Sequence, residues 1–237
     1  MCFILVVFQV HQRYPLIIAA NRDERRARPS SPPRRWPGEP PLWMGRDEVA
    51  GGTWLGVNER GLAVGITNRR DGDGDPSRPS RGQLCLAALR TSSPTEARHV
   101  LDAALASNPQ NPFNLLCAST ATGWVATWRG ESQPLKPGVH VLTNHGDLDD
   151  EILPQTRRAL AYCERLDLVR APLEDVLVAL GHLCADTTAP EPICRVGGEY
   201  GTVSSSLIAL EATGDLAAYW HAEGPPSGAA YVPVLIE

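Results

Sequence analysis

A chain of 237 residues, 43% hydrophobic and 21% charged, has the makeup of a globular protein with a sizeable core, and excludes a disordered or fibrous one. The net charge of −5 argues against a general nucleic-acid binder, and no stretch approaches the ~20 apolar residues of a membrane span. Six cysteines with no C-x-x-C pair exclude a disulfide framework and point to a soluble cytoplasmic protein.

The chain opens Met1-Cys2 and runs straight into Phe3-Ile4-Leu5-Val6-Val7-Phe8. This run is too short, and lacks the basic flank, for a signal peptide. Residues 2–10 and 14–20 read as an antiparallel hairpin around His11-Gln12-Arg13. Residues 28–41 read as a Pro-rich loop. Gly51-Gly52 opens a strand over 53–57, and a second strand covers 62–67. Residues 69–80 lack apolar side chains and form an exposed loop. Helical patterns follow at 81–90 and 94–106, the second opened by the capping box Ser93-Pro94-Thr95-Glu96. Strands are expected at 113–119, 123–128 and 139–143, helices at 155–166 and 172–185, and strands at 203–210, 216–221 and 230–236. This order lacks the regular βαβ alternation of a parallel sheet. It fits an α+β architecture of two antiparallel sheets packed face to face with helices outside. The elements interleave, so residues 1–237 are expected to form a single domain.

Of the other cysteines, at 85, 117, 163, 184 and 194, those at 85, 117, 163 and 184 lie in apolar patterns and are expected to be reduced core residues. The spacing of His182-x-Cys184 suits no common metal site. Of 22 basic residues only Lys136 is a lysine, which with the abundant Ala, Gly and Pro points to a GC-rich, bacterial genome.

Cys2 carries the most chemistry. Met before a small residue is commonly clipped, which would leave one residue bearing a nucleophilic sulfur and a free α-amine. A free thiol titrates near ~8.5 and an α-amine near ~7.7–8.0, so the amine can serve as base at neutral pH. The plain alternative is a small apolar residue starting a strand. In the hairpin, paired residue numbers sum to about 24, which sets Cys2 opposite residues 21–23. A carboxylate there can orient the α-amine; a guanidinium can lower the thiol pKa or hold a substrate oxygen. A charged strand end pointing to water is the alternative.

Cys2 with Asn21-Arg22-Asp23-Glu24 resembles the NRDE protein family, that of transport and Golgi organisation protein 2. The resemblance continues through Gly51-Gly52-Thr53-Trp54-Leu55-Gly56, Thr67-Asn68, Arg81-Gly82, Phe113-Asn114-Leu115, Leu142-Thr143-Asn144, Arg157-Arg158 and Tyr200-Gly201-Thr202. That family in turn looks like a distant relative of N-terminal-nucleophile hydrolases of the choloylglycine hydrolase and penicillin acylase type. The resemblance implies a four-layer αββα sandwich. It matches Cys2 to the nucleophile, Asp23 to the carboxylate near the α-amine, Asn68 and Asn144 to the asparagines, and Arg157, with Arg158 the alternative, to a later arginine. Arg22 is spaced differently from the arginine of those hydrolases and is assigned to substrate binding. Gly51 and Gly52 either let the backbone approach substrate or make a tight strand entry. Trp54 and Trp43 either line an acyl pocket or pack in the core.

If the transfer holds, the expected activity is hydrolysis or transfer of a small amide- or thioester-linked acyl group, with no cofactor and no metal. The alternative is a non-catalytic protein on the same scaffold that binds a lipid, acyl-CoA or haem-like ligand.

Overall fold

The structure is a computed structural model that describes residues 3–70 and 74–235. Its strands form two antiparallel sheets. The first takes β1 (Phe3–Phe8), β2 (Leu16–Arg25), β10 (Gly138–Thr143), β11 (Tyr200–Leu210), β12 (Leu216–Glu223) and β13 (Val232–Pro233), in the order β10-β1-β2-β11-β12-β13. The second takes β3 (Ser30–Trp36), β4 (Leu42–Asp47), β5 (Leu55–Asn58), β6 (Ala63–Asn68), β7 (Phe113–Ala118), β8 (Gly123–Thr127) and β9 (Ser132–Pro134), in sequence order. Helices α1 (Arg81–Leu89), α2 (Pro94–Ser107), α3 (Pro154–Cys163) and α4 (Leu173–Cys184) complete the fold.

Three apolar layers follow from side-chain alternation along the strands. Ile4, Val6 and Phe8 of β1, with Leu16, Ile18 and Ala20 of β2, face the second sheet and meet Leu55, Val57 and Leu116. Phe3, Leu5, Val7, Ile17 and Ala19 face the other way, onto Ala159 of α3 and Val176, Leu177 and Leu180 of α4. On the far side, Val64, Ile66 and Leu115 pack against Cys85 and Leu89 of α1 and Leu101 of α2. The result is helix, sheet, sheet, helix, the αββα sandwich expected. Burial on both faces explains why β1 is apolar at all six positions.

The β1–β2 register has the sum of 24 expected for the hairpin, from Phe3 opposite Asn21 to Phe8 opposite Leu16. Among the boundaries that differ from expectation, two bear on the site. β2 does not stop at residue 20; it continues to Arg25 because β11 pairs with it on its other side. The Pro-rich segment is not all loop, since residues 30–36 form β3. Pro32 and Pro33 are tolerated because β3 is an edge strand whose pairing with β4 is irregular between Ser31 and Arg34.

Candidate active site

The charged tetrapeptide lies inside β2; all four residues pair along β11, and Asn21 also pairs with Phe3 of β1. Alternation divides its side chains between two faces. Asn21 turns to the helix side, where its Nδ2 donates to the carbonyls of Cys184 (2.8 Å) and Ile193 (3.0 Å). Asp23 is buried, and its Oδ1 accepts from Thr202 Oγ1 at 2.7 Å. Arg195 Nε stands 3.5 Å from Asp23 Oδ2, and its backbone N–H donates to Thr202 Oγ1. The carboxylate is thus held from two sides. Arg22 takes the opposite face, toward the second sheet. Its guanidinium lies over the Trp54 ring at 4.2 Å and donates from Nη1 to Ser30 Oγ at 2.8 Å.

The two asparagines arrive on different sheets. Asn68 ends β6 and Asn144 follows β10. Thr67 Oγ1 donates across the inter-sheet layer to the carbonyl of Thr143 at 3.1 Å, and the backbone N–H of Arg70 donates to the carbonyl of Asn144 at 3.0 Å. Asn114 Nδ2 adds bonds to the carbonyls of Thr143 and Gly146. Phe3 pairs with Asn21 on one side and Thr143 on the other, so the asparagine segments and the charged tetrapeptide meet at one end of β1. Asn144 is buried, and its Oδ1 has no hydrogen-bond partner among the described residues. Cys2, the expected nucleophile, lies outside the described residues.

The remaining expected site residues have other surroundings. Gly51 has φ +71°, and a Cβ on Gly52 would fall 2.2 Å from the carbonyl carbon of Gly82. Thr53 N–H donates to the Gly82 carbonyl at 3.0 Å. This glycine pair therefore seats the strand entry against the first turn of α1, which also accounts for the Arg81-Gly82 motif. Trp54 and Trp43 are both buried in the inter-sheet core. Arg157 is exposed and donates to the carbonyls of Glu151 and Ile152. Helical periodicity explains this: Gln155, Thr156, Ala159 and Cys163 form the buried face of α3, and 157 falls outside it. Arg158 pairs with Asp186 at 3.0 Å. The arginine beside Asp23 is Arg195, which sequence reasoning missed because it sits in an irregular segment 172 positions away in the chain. Thr202 belongs to a motif already noted, but nothing in the sequence assigned it to Asp23.

A cleft of about 510 Å³ opens beside this cluster, lined by Glu24, Arg28, Asp47, Asn68, Arg81 and Tyr200 among others. It is polar, and neither Trp54 nor Trp43 lines it. The five described cysteines are buried and unbridged. Burial pushes the thiols of Cys163 and Cys184 up to about 12 and raises those of Cys85 and Cys117 as well, so these four are not thiolates at neutral pH. Among the described residues no helix is long and apolar enough to cross a membrane.

Residues 1–220 match the family described as Transport and Golgi organisation 2. The mouse and human homologues of transport and Golgi organisation protein 2 are each 34% identical over 158 residues. That match covers 61% of this chain and 57% of theirs, so the chain spans little over half the length of these relatives. The bovine homologue is 29% identical over 255 residues, with 90% of each chain covered. These relatives are mammalian, so the bacterial origin read from composition does not stand; a bias toward Arg, Ala, Gly and Pro reports base composition, not kingdom. Among solved structures, penicillin V acylase from Agrobacterium tumefaciens superposes with a TM-score of 0.60 at 15% identity, covering 98% of this chain and 86% of that one. A Caenorhabditis elegans N-acylethanolamine-hydrolyzing acid amidase orthologue gives 0.60 at 12%, covering 87% and 92%. A single-substitution variant of conjugated bile acid hydrolase from Clostridium perfringens gives 0.60 at 12%, covering 98% and 92%. At such identities the likeness is one of fold.

Proposed function

The chain belongs to the Transport and Golgi organisation 2 family, and from that premise we propose that it is a cysteine N-terminal-nucleophile hydrolase or acyltransferase. It acts, in this reading, as one domain on a small amide- or thioester-linked acyl compound. One observation carries the reading: two asparagine segments 76 positions apart, on different sheets, are tied together through Thr67 and Thr143 beside a buried, doubly held Asp23.

Removal of Met1 frees the α-amine of Cys2. Asp23 orients that amine, with Thr202 and Arg195 fixing the carboxylate. The amine takes the thiol proton, and the thiolate adds to the acyl carbonyl. Side-chain amides of Asn144 and Asn68 donate to the developing oxyanion, each such donor being worth roughly 2.7–4 kcal/mol. The tetrahedral adduct collapses, and the ammonium returns its proton to the departing amine or thiolate. Water, or an acceptor nucleophile, then releases the acyl group from sulfur.

Intact mass should show a chain shortened by Met1. Asn144→Ala should lower turnover of a chromogenic acyl amide or thioester by ~10²–10³ with folding nearly intact. Unchanged turnover in that folded variant, or a retained Met1 in an active protein, overturns the mechanism. A second reading, a binding protein for a lipid-like ligand, is favoured by a cavity of about 400 Å³ at the sheet edges, where Pro32, Pro33, Val232, Val234 and Leu235 form an apolar wall beside Arg34, Arg35, His221 and Glu223. It takes over if no acyl compound is turned over while such a ligand binds.

A further inference from the structure

Arg22 is the one buried arginine among the described residues, at 4% exposure. Several arginines of this end of the fold stand by a carboxylate. Arg28 has Asp47 and Glu24, Arg195 has Asp23, and Arg69 has Asp147. Among the described residues Arg22 has no carboxylate within ion-pair distance. It makes one side-chain hydrogen bond, to a neutral hydroxyl, and lies over an indole. Its nearest carboxylates, Glu24 and Asp47, are turned to Arg28 and act on it only at a distance. Asp23, its neighbour in sequence, cannot pair with it, because successive strand residues point to opposite faces.

A guanidinium carries five N–H donors, and removing it from water without a counter-charge is costly. Stacking on Trp54 and the bond to Ser30 hold the fork in a fixed plane without neutralising it. Ser204, directly opposite in the β2–β11 ladder and also buried, adds a hydroxyl rather than a charge. A planar guanidinium fork with no ion-pair partner among the described residues matches one planar monoanion, a carboxylate.

We infer that Arg22 is a specificity-determining residue that anchors a carboxylate carried by the substrate, so that the site takes an anionic acyl compound in preference to its neutral counterpart. This deepens the hydrolase reading and rests on it for the word substrate; the anion site itself does not require turnover.

The test uses hexanoate and hexanamide, matched in size and differing in charge, added to the full chain at constant ionic strength. Hexanoate should raise the melting temperature by about 5 °C at one hundred times its dissociation constant, and hexanamide should not. Arg22→Met, which keeps an apolar stem on Trp54, should melt no lower than the parent without ligand and lose the hexanoate response. Arg22→Lys should keep the charge, lose the fork, and need about tenfold more hexanoate. Equal responses to the two ligands, or an Arg22→Met protein that still responds, overturn the inference. If Arg22→Met does not fold, an unchanged hexanoate midpoint in Arg22→Lys overturns it and the tenfold weakening supports it. Turnover of a neutral acyl amide with no hexanoate response sinks this inference and leaves the hydrolase; a hexanoate response without turnover of any acyl compound does the reverse.

Discussion

Strand β2 has two halves. Leu16 to Ala20 is wholly apolar and fills the cores on both of its faces. Residues 21–25 continue the same strand, in the same ladder with β11, and carry an amide and four charges. The β11 ladder runs through both halves, with a register shift between Thr202 and Ser204 in the polar one, so the polar half is not frayed surface. What differs is the use of burial. The first half gains stability from it, whereas the second accepts the desolvation of Arg22 and Asp23 and holds them in fixed directions. Fold and chemistry are thus separable along one strand.

That separation can be broken at three points. The largest effect is expected from Ile18→Ala in the apolar half, where a fully buried side chain would leave a cavity. Unfolding in urea should show a loss of about 4 kcal/mol, with turnover per folded molecule unchanged. A matching loss of turnover in the folded fraction would mean that the halves are coupled. An intermediate effect is expected at the boundary, in the row formed by Ala20, Ser206 and His221. Burial pushes His221 down to about 4 from its ordinary 6.5, so the folded state favours the neutral ring. Its stability is present above pH ~6.5 and lost as pH falls toward ~4, by about 3 kcal/mol at most. Denaturant titrations at pH 7 and pH 4.5, on the parent and on His221→Gln, should show this acid loss in the parent alone.

The smallest effect lies beside the apolar half, where Val6 pairs with His140. His140 Nδ1 is 2.7 Å from Asp149 Oδ2, and this bond raises its pKa despite partial burial. The contribution has the opposite sign. It is complete below pH ~6.5 and disappears as pH rises through the raised value. Because the pair is partly exposed, salt should weaken it. His140→Gln should flatten the stability profile on the alkaline side of pH 6.5 without altering the acid loss due to His221.

Much of this was legible in the sequence. Apolar runs of the right length gave the strands, and the symmetry about residues 11–13 gave the hairpin register. β3 was hidden by its prolines, which report an edge position only once the neighbouring strands are known. The pairing of Asp23 with Thr202 and Arg195 was hidden for a different reason. It joins residues 179 and 172 positions apart, one of them in a segment with no periodicity. For Arg157 the sequence held little signal, because the buried face of α3 includes the polar Gln155 and Thr156 beside Ala159 and Cys163, so no apolar stripe marks it.

The position of β2 has a consequence for synthesis. Asn21 pairs with Phe3 on one side but with Ser205, 184 residues later, on the other. At the ~5–20 residues per second of translation, that edge waits roughly ten to forty seconds for its partner. An apolar edge left open that long would recruit other nascent chains. Arg22, Asp23, Glu24 and Arg25 place charges of both signs along the waiting half, so the segment that equips the finished site also guards the unfinished sheet.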